Sequence, residues 1–178
     1  MSYLKKSIAS CLGIGIALLV ASSPAIAAKR VVLKYKILRE SVSVEELAQF
    51  ARTGEASRDL KTYLRLSRQN PQAVQQTLTR PIKVNLVLLD RVLNSPIGNG
   101  VLDQLGQGIQ TSKGGAERQA LRAALVLSAS GDGAISIIEI LQNYPTEDVV
   151  LDGDRIEGTY RQLNEFADRL RPLERILR

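Results

Sequence analysis

Five carboxylates crowd into the eleven residues from Glu147 to Glu157: Glu147, Asp148, Asp152, Asp154 and Glu157. Clustered oxygen ligands suit calcium, and paired carboxylates are the machinery of glycoside hydrolysis. The spacing favours neither chemistry. It does not match D-x-[DN]-x-[DN]-G, and Asp152-Gly153-Asp154 is first of all a turn. Tryptophan, a natural platform for sugar, is absent. Ser112-Lys113 would form a serine–lysine nucleophile pair only if adjacent side chains converged in a loop. The S-x-x-K spacing of that chemistry occurs only at Ser2–Lys5. The glycine pairs Gly98/Gly100, Gly106/Gly108, Gly114/Gly115 and Gly131/Gly133 stop short of G-x-G-x-x-G, and no G-x-x-x-x-G-K-[ST] loop is present. They are assigned to turns and caps.

Histidine is missing from the whole chain. That removes Ser-His-Asp and Cys-His catalysis, histidine-based metal sites and the commonest general base. A G-x-S-x-G elbow is missing too. No residue set is therefore singled out as catalytic, cofactor-binding or metal-binding, and no cofactor is expected.

The elements behind these residues are mostly helical. Val31, Leu33, Tyr35 and Ile37 alternate with more polar neighbours, the period-two pattern of a half-buried strand over Val31–Leu38. Ser43-Val44-Glu45-Glu46 reads as a capping box, with a helix from Val44 to Arg52 stopped at Gly54. Ser57 caps a second helix with Leu60, Tyr63, Leu64 and Leu66 as its apolar face, and Asn70-Pro71 opens a third, proline being tolerated at the first helical position. Val84 to Leu93 is apolar nearly all round, which marks a central buried helix. Further helices are expected over Ile97–Ile109, over Ala116–Ser130, whose alanines allow close approach, and over Ala134–Asn143 capped by Asp132. Val149-Val150-Leu151 should pair with the first strand, since a lone strand strands its backbone groups. The last helix, Ile156 to Leu170 or beyond, turns Tyr160, Leu163, Phe166, Ala167 and Leu170 inward. Glu157/Arg161, Glu165/Arg169 and Glu174/Arg178 fall at i,i+4 on its solvated face. The expected fold is mainly α: one compact multi-helix domain over residues 28–178, with a small two-stranded β element of about residues 31–38 and 149–152.

Residues 1–27 read as a cleaved export signal. Lys5 and Lys6 form a positive start, Ile8–Ala21 an apolar run, and Ala25-Ile26-Ala27 a small-x-small cleavage site. The run is 14 residues, short of the roughly 20 a membrane span needs, so no stable anchor is expected after cleavage. Ile8-Ala9-Ser10-Cys11 spells a lipobox, but its apolar stretch lies on the wrong side of the cysteine. Losing the signal removes Cys11, leaving a disulfide-free domain, and lowers the net charge from +6 to +4. With five tyrosines and two phenylalanines in all, the chain lacks the stacking surface of a nucleic-acid binder, and no nucleic-acid partner is expected.

Val31-Val32-Leu33-Lys34-Tyr35, Ser43-Val44-Glu45-Glu46-Leu47 and Thr53-Gly54-Glu55, in that order, resemble the opening of the family called domain of unknown function 1400. Leu89-Asp90-Arg91-Val92-Leu93-Asn94-Ser95-Pro96-Ile97-Gly98, Ala120-Leu121-Arg122-Ala123-Ala124-Leu125 and Leu141-Gln142-Asn143-Tyr144-Pro145 resemble its later blocks. The likeness covers about residues 28–152. It implies a helical module that typically precedes an α/β-hydrolase domain in cyanobacterial proteins, and a destination in the periplasm or thylakoid lumen. The 27 residues after Leu151 are too few for hydrolase strands and helices, so the module is expected to stand alone. No catalytic residue carries over. The leading expectation is a non-catalytic exported module acting through protein contacts, with an α/β-hydrolase in trans or a second copy as partner. The alternative is a binder of a hydrophobic small ligand, with Val84–Leu93 and Ala116–Leu127 as the pocket walls. An enzyme using only Asp, Glu, Lys or Tyr comes third.

Overall fold

The computed structural model describes residues 27–174. The expected export signal lies outside the described residues, save its last alanine, and so does the expected Glu174/Arg178 pairing. The fold is mainly α, as its composition of apolar faces implies.

Alternating Val31 and Leu33 bury one face of β1 (Arg30–Tyr35). The single strand expected over Val31–Leu38 is instead a hairpin. Lys36 takes a left-handed φ of 52°, and its N–H donates to Asp154 Oδ2 at 2.7 Å. The chain therefore turns back into β2 (Leu38–Ser43), antiparallel to β1. The Val149-Val150-Leu151 run forms β6 (Asp148–Asp152), which pairs with β1 as expected, in parallel, Arg30 opposite Asp148 and Lys34 opposite Asp152. A further strand, β4 (Ile109–Thr111), pairs antiparallel with β6, giving a four-stranded sheet in the order β2-β1-β6-β4.

Seven helices fold between the two central strands. α1 (Val44–Thr53) is capped by Ser43, which accepts the Glu46 N–H, and ends at Gly54 with φ 76°. The capping box is not completed: the Glu46 carboxylate takes the Ser57 hydroxyl instead, linking this cap to that of α2 (Arg58–Leu66). Asn70 caps α3 (Pro71–Thr79). The expected Val84–Leu93 helix starts later, at α4 (Leu86–Leu93), under an Asn85 cap. It is not buried all round: Leu88, Leu89 and Leu93 face inward, while Val87 is 64% exposed. Val84 instead donates its N–H to Gly133 O, beside a second small sheet of β3 (Ile82–Lys83) and β5 (Ala134–Ile135).

That sheet also displaces the helix expected from Ala134. Asp132 Oδ1 accepts the Ala134 N–H within the turn, and α7 (Ile137–Gln142) starts under Ser136, with Glu139 completing a true capping box. The helix expected over Ile97–Ile109 is shorter too. α5 (Pro96–Leu105) stops before Gly106, and Ile109 is recruited into β4. α6 (Glu117–Ala129) buries Ala120 and Ala124 where it packs on α4, α5 and α7. α8 (Ile156–Glu174) turns Tyr160, Leu163, Phe166, Ala167 and Leu170 inward as expected. On its outer face the ion pair seen is Arg171 with Asp168, at 2.9 Å. The expected Glu157/Arg161 pair is not made, because Glu157 accepts the Thr77 hydroxyl at 3.2 Å.

Two glycines of α5 are opposites. A Cβ on Gly98 would run into the backbone of α4, 2.6 Å from Leu93 Cα, whereas one on Gly100 meets nothing within 4 Å. Gly98→Ala is expected to cost roughly 1–3 kcal/mol as overpacking, and Gly100→Ala to gain about 0.5–1 kcal/mol in helix propensity. Paired urea melts read both signs, and equal shifts would contradict this α4–α5 approach.

Candidate functional site

The sheet ends in a crevice. Its floor is the carboxyl end of the central strands, Leu33 and Tyr35 of β1 with Leu151 of β6, and Gly153 just beyond. Gly153 donates its N–H to Lys34 O at 2.7 Å, continuing the parallel ladder. A Cβ there would press 3.2 Å from that carbonyl and 3.5 Å from the Tyr35 ring, so glycine lets the ring lie against the turn. Leu47 of α1 and Leu78 of α3 close the inner end; Leu60, Tyr63 and Leu64 of α2 form the outer wall, and Ile156 and Glu157 of α8 the far side. The enclosed space is about 210 Å³.

Local sequence explains the walls. Ser57 caps α2 so that Leu60, Tyr63 and Leu64 share its inner face. Ser67 donates its hydroxyl to Tyr63 O at 2.8 Å, and Arg68, at φ 54°, reverses the chain into α3. α2 alone among the described helices makes no broad contact with any single other element. Sparse packing lets an element open at lower free energy, which makes α2 the wall expected to open first.

Few polar side chains line the space: Tyr35, Tyr63, Gln69, Thr77 and Glu157. Thr77 is held by Ala73 O at 3.0 Å and by Glu157 Oε2. Burial, then the charges of Asp154, Asp152 and Glu40, push the Tyr63 phenol up to about 12. Burial, the largest of these causes, and the nearby carboxylates all favour the neutral phenol. A phenol and a carboxylate beside apolar walls can orient a neutral polar head by hydrogen bonding. They disfavour a second anion.

The acidic cluster contributes only its last members. Arg30 forks onto Asp148 at 2.7 and 3.0 Å, at the start of the β1–β6 pair. Lys34 meets Asp152 at 3.1 Å at the other end. Asp152 also accepts the Asp154 N–H at 3.1 Å. These carboxylates fasten strands and turns, and among the described residues no cluster of metal-ligating side chains forms. Ser112 and Lys113 lie exposed after β4. Gly114 and Gly115 hold φ 71° and 91°, the turn role expected of them.

The pocket walls expected from the sequence are not these. α4 and α6 pack on each other, Arg122 Nε donating to Leu93 O at 3.0 Å, and neither lines the crevice. Of the apolar face expected on α2, Leu60, Tyr63 and Leu64 line the space, but Leu66 turns outward and is 62% exposed. That a space would remain beneath α2 had no signal in the periodicity.

A family model described as "Alpha/beta hydrolase of unknown function (DUF1400)" matches residues 27–152. The match ends as β6 ends, before α8. No curated protein and no solved structure matches the chain.

A phenol whose pKa is higher folded than unfolded favours its neutral form in the folded state. Its stabilising contribution is present below the unfolded value, near 10, and is lost as pH rises from there to about 12. Stability is therefore expected to fall over that window, and Tyr63→Phe to make the fall shallower. Urea melts at stepped pH check this; an unchanged slope would place the Tyr63 phenol in ordinary solvent.

Proposed function

The chain belongs to the DUF1400 family, and from that premise we propose that it acts as an exported, non-catalytic binding module whose crevice takes the apolar end of a small neutral ligand. One observation carries the reading: an apolar space of about 210 Å³ under a helix that makes no broad contact with any single other element. Apolar cavities of about 150 Å³ take up benzene, so this one suits an aromatic ring or the end of an alkyl chain. Burial, which penalises any charge placed there, and the Glu157 carboxylate in the lining favour an alcohol, amide or ester head over a carboxylate. Histidine is absent from the chain, and the polar groups at the crevice fit hydrogen bonding better than nucleophilic attack.

Export rests on residues 1–27 and on the cyanobacterial setting implied by the family resemblance, which point to the periplasm or thylakoid lumen. A second reading is favoured by Val87, Ile97 and Leu127, exposed by 64%, 76% and 49% on α4, α5 and α6. In it the module docks through protein contacts, with an α/β-hydrolase in trans or a second copy.

Native mass spectrometry of the protein from its own exported fraction separates the two. A bound mass below that of any polypeptide, released on activation, supports the ligand reading; a bound polypeptide or clean homodimer supports the second. For the purified protein, 1-octanol is expected to bind at least about tenfold more tightly than octanoate, a difference of about 1.4 kcal/mol. Ala73→Phe, which places a ring at the exposed α3 edge of the crevice, should weaken octanol binding. Equal affinities for alcohol and carboxylate would refute the electrostatic part, and octanol binding unaffected by Ala73→Phe would move the site elsewhere.

A further inference from the structure

The outer face of α2 differs from the inner one that walls the crevice. Arg58, Lys61 and Arg65 stand around a shallow depression at i, i+3 and i+7. A second depression beside it is lined by Leu38, Arg39 and Glu40 of β2 together with Arg58, Asp59, Thr62, Tyr63 and Leu66 of α2. The hairpin tip and the outer face of α2 therefore form one continuous surface. It carries Lys36, Arg39, Arg58, Lys61, Arg65 and Arg68, all exposed. Among the described residues none of the six lies within ion-pair distance of a carboxylate, whereas Arg30, Lys34, Arg52, Arg118, Arg155 and Arg171 each do. Glu40, Asp59 and Asp154 are the acids of this region, so the surface is net positive.

Two large apolar side chains project from the same surface. Ile37, at the hairpin tip, is 95% exposed, and Leu66, at the end of α2, is 62% exposed. Among the described residues no helix is long and apolar enough to cross a membrane. Cations ringing exposed apolar side chains are the pattern of a segment that lies on a bilayer, the cations drawn to anionic headgroups and the apolar tips entering the acyl boundary. The core of a protein–protein interface is depleted of charge, whereas this face sets six cations around two exposed apolar side chains.

We propose that the β1–β2 hairpin tip and the outer face of α2 form a docking surface for an anionic lipid bilayer. Ile37 and Leu66 insert shallowly, while Arg39, Arg58, Lys61, Arg65 and Arg68 hold the headgroups. Docked this way, α2 faces the lipid, and Tyr63, which lines both the crevice and the second depression, lies between the two. The surface stands on its own observations, whether or not the crevice holds a ligand.

Residues 27–178, which carry the whole described core, are sedimented with vesicles of phosphatidylcholine alone or mixed with phosphatidylglycerol. Circular dichroism first confirms that each variant is folded. The protein is expected to sediment with the anionic vesicles only, and less as salt screens the charges. Lys61→Glu with Arg65→Glu should weaken that binding about tenfold or more, and Ile37→Ser several-fold. Lys83→Glu with Arg91→Glu, on β3 and α4, should leave it unchanged. No binding to anionic vesicles, equal loss in the β3/α4 control, or binding to soluble heparin without vesicle binding would each overturn the proposal.

Discussion

The parallel pairing of β1 with β6 brings together residues 118 apart in sequence and makes the ends of a long helical excursion into neighbours. Parallel strands cannot be joined by a tight turn, and here the crossover contains seven helices and four strands. The register is pinned at both ends, by the Arg30–Asp148 fork and by Lys34 on Asp152. A slip of one residue would turn Val31, Leu33, Val149 and Leu151 out of the core. Exposed ion pairs contribute little to stability individually; at the two ends of one ladder their value lies in selecting this register.

The crevice follows from how the ladder ends. At its carboxyl end one strand leaves into the hairpin and the other into the Gly153 turn, and Asp154 ties these exits together through the Lys36 N–H. α8 departs at once in a new direction, and α2 and α3 arrive from above. Three elements that diverge from one point leave a gap unless a large side chain fills it, and the residue at that point is glycine. The Tyr35 ring lies against the turn that glycine allows, and the remaining space is bounded by α2. The same helix carries a strong cationic face outward and an apolar face inward, so its loose seating and its two faces belong to one device.

Much of this was legible in the sequence. The caps at Ser43, Ser57 and Asn70 placed three helices correctly because an Ncap oxygen accepting the N3 N–H is a local interaction. The pairing of Val149–Leu151 with the first strand was legible because β-prone runs need partners. What failed was decided by distant atoms. The hairpin depends on Asp154 reaching Lys36, and Ile109 leaves its helix because β6 has an open edge to pair. Ile135, apolar at helical spacing, is taken by a two-residue ladder that periodicity does not register, and Val84 is held beside it. The crevice was illegible for the same reason: its lining comes from six elements, and its volume is set by how they diverge. Tyr63 and Glu157 look like an ordinary core tyrosine and a surface carboxylate until the fold puts both beside one apolar space.

The central claim is that the apolar space beneath α2 is a binding site. Methyl-resolved NMR spectra of the protein titrated with 1-octanol test it most directly. Shifts confined to Leu33, Leu47, Leu60, Leu64, Val74, Leu78, Leu151 and Ile156, which line the crevice, are the predicted result. Shifts centred on Val87, Ile97 and Leu127, or no shifts at saturating octanol, would contradict it.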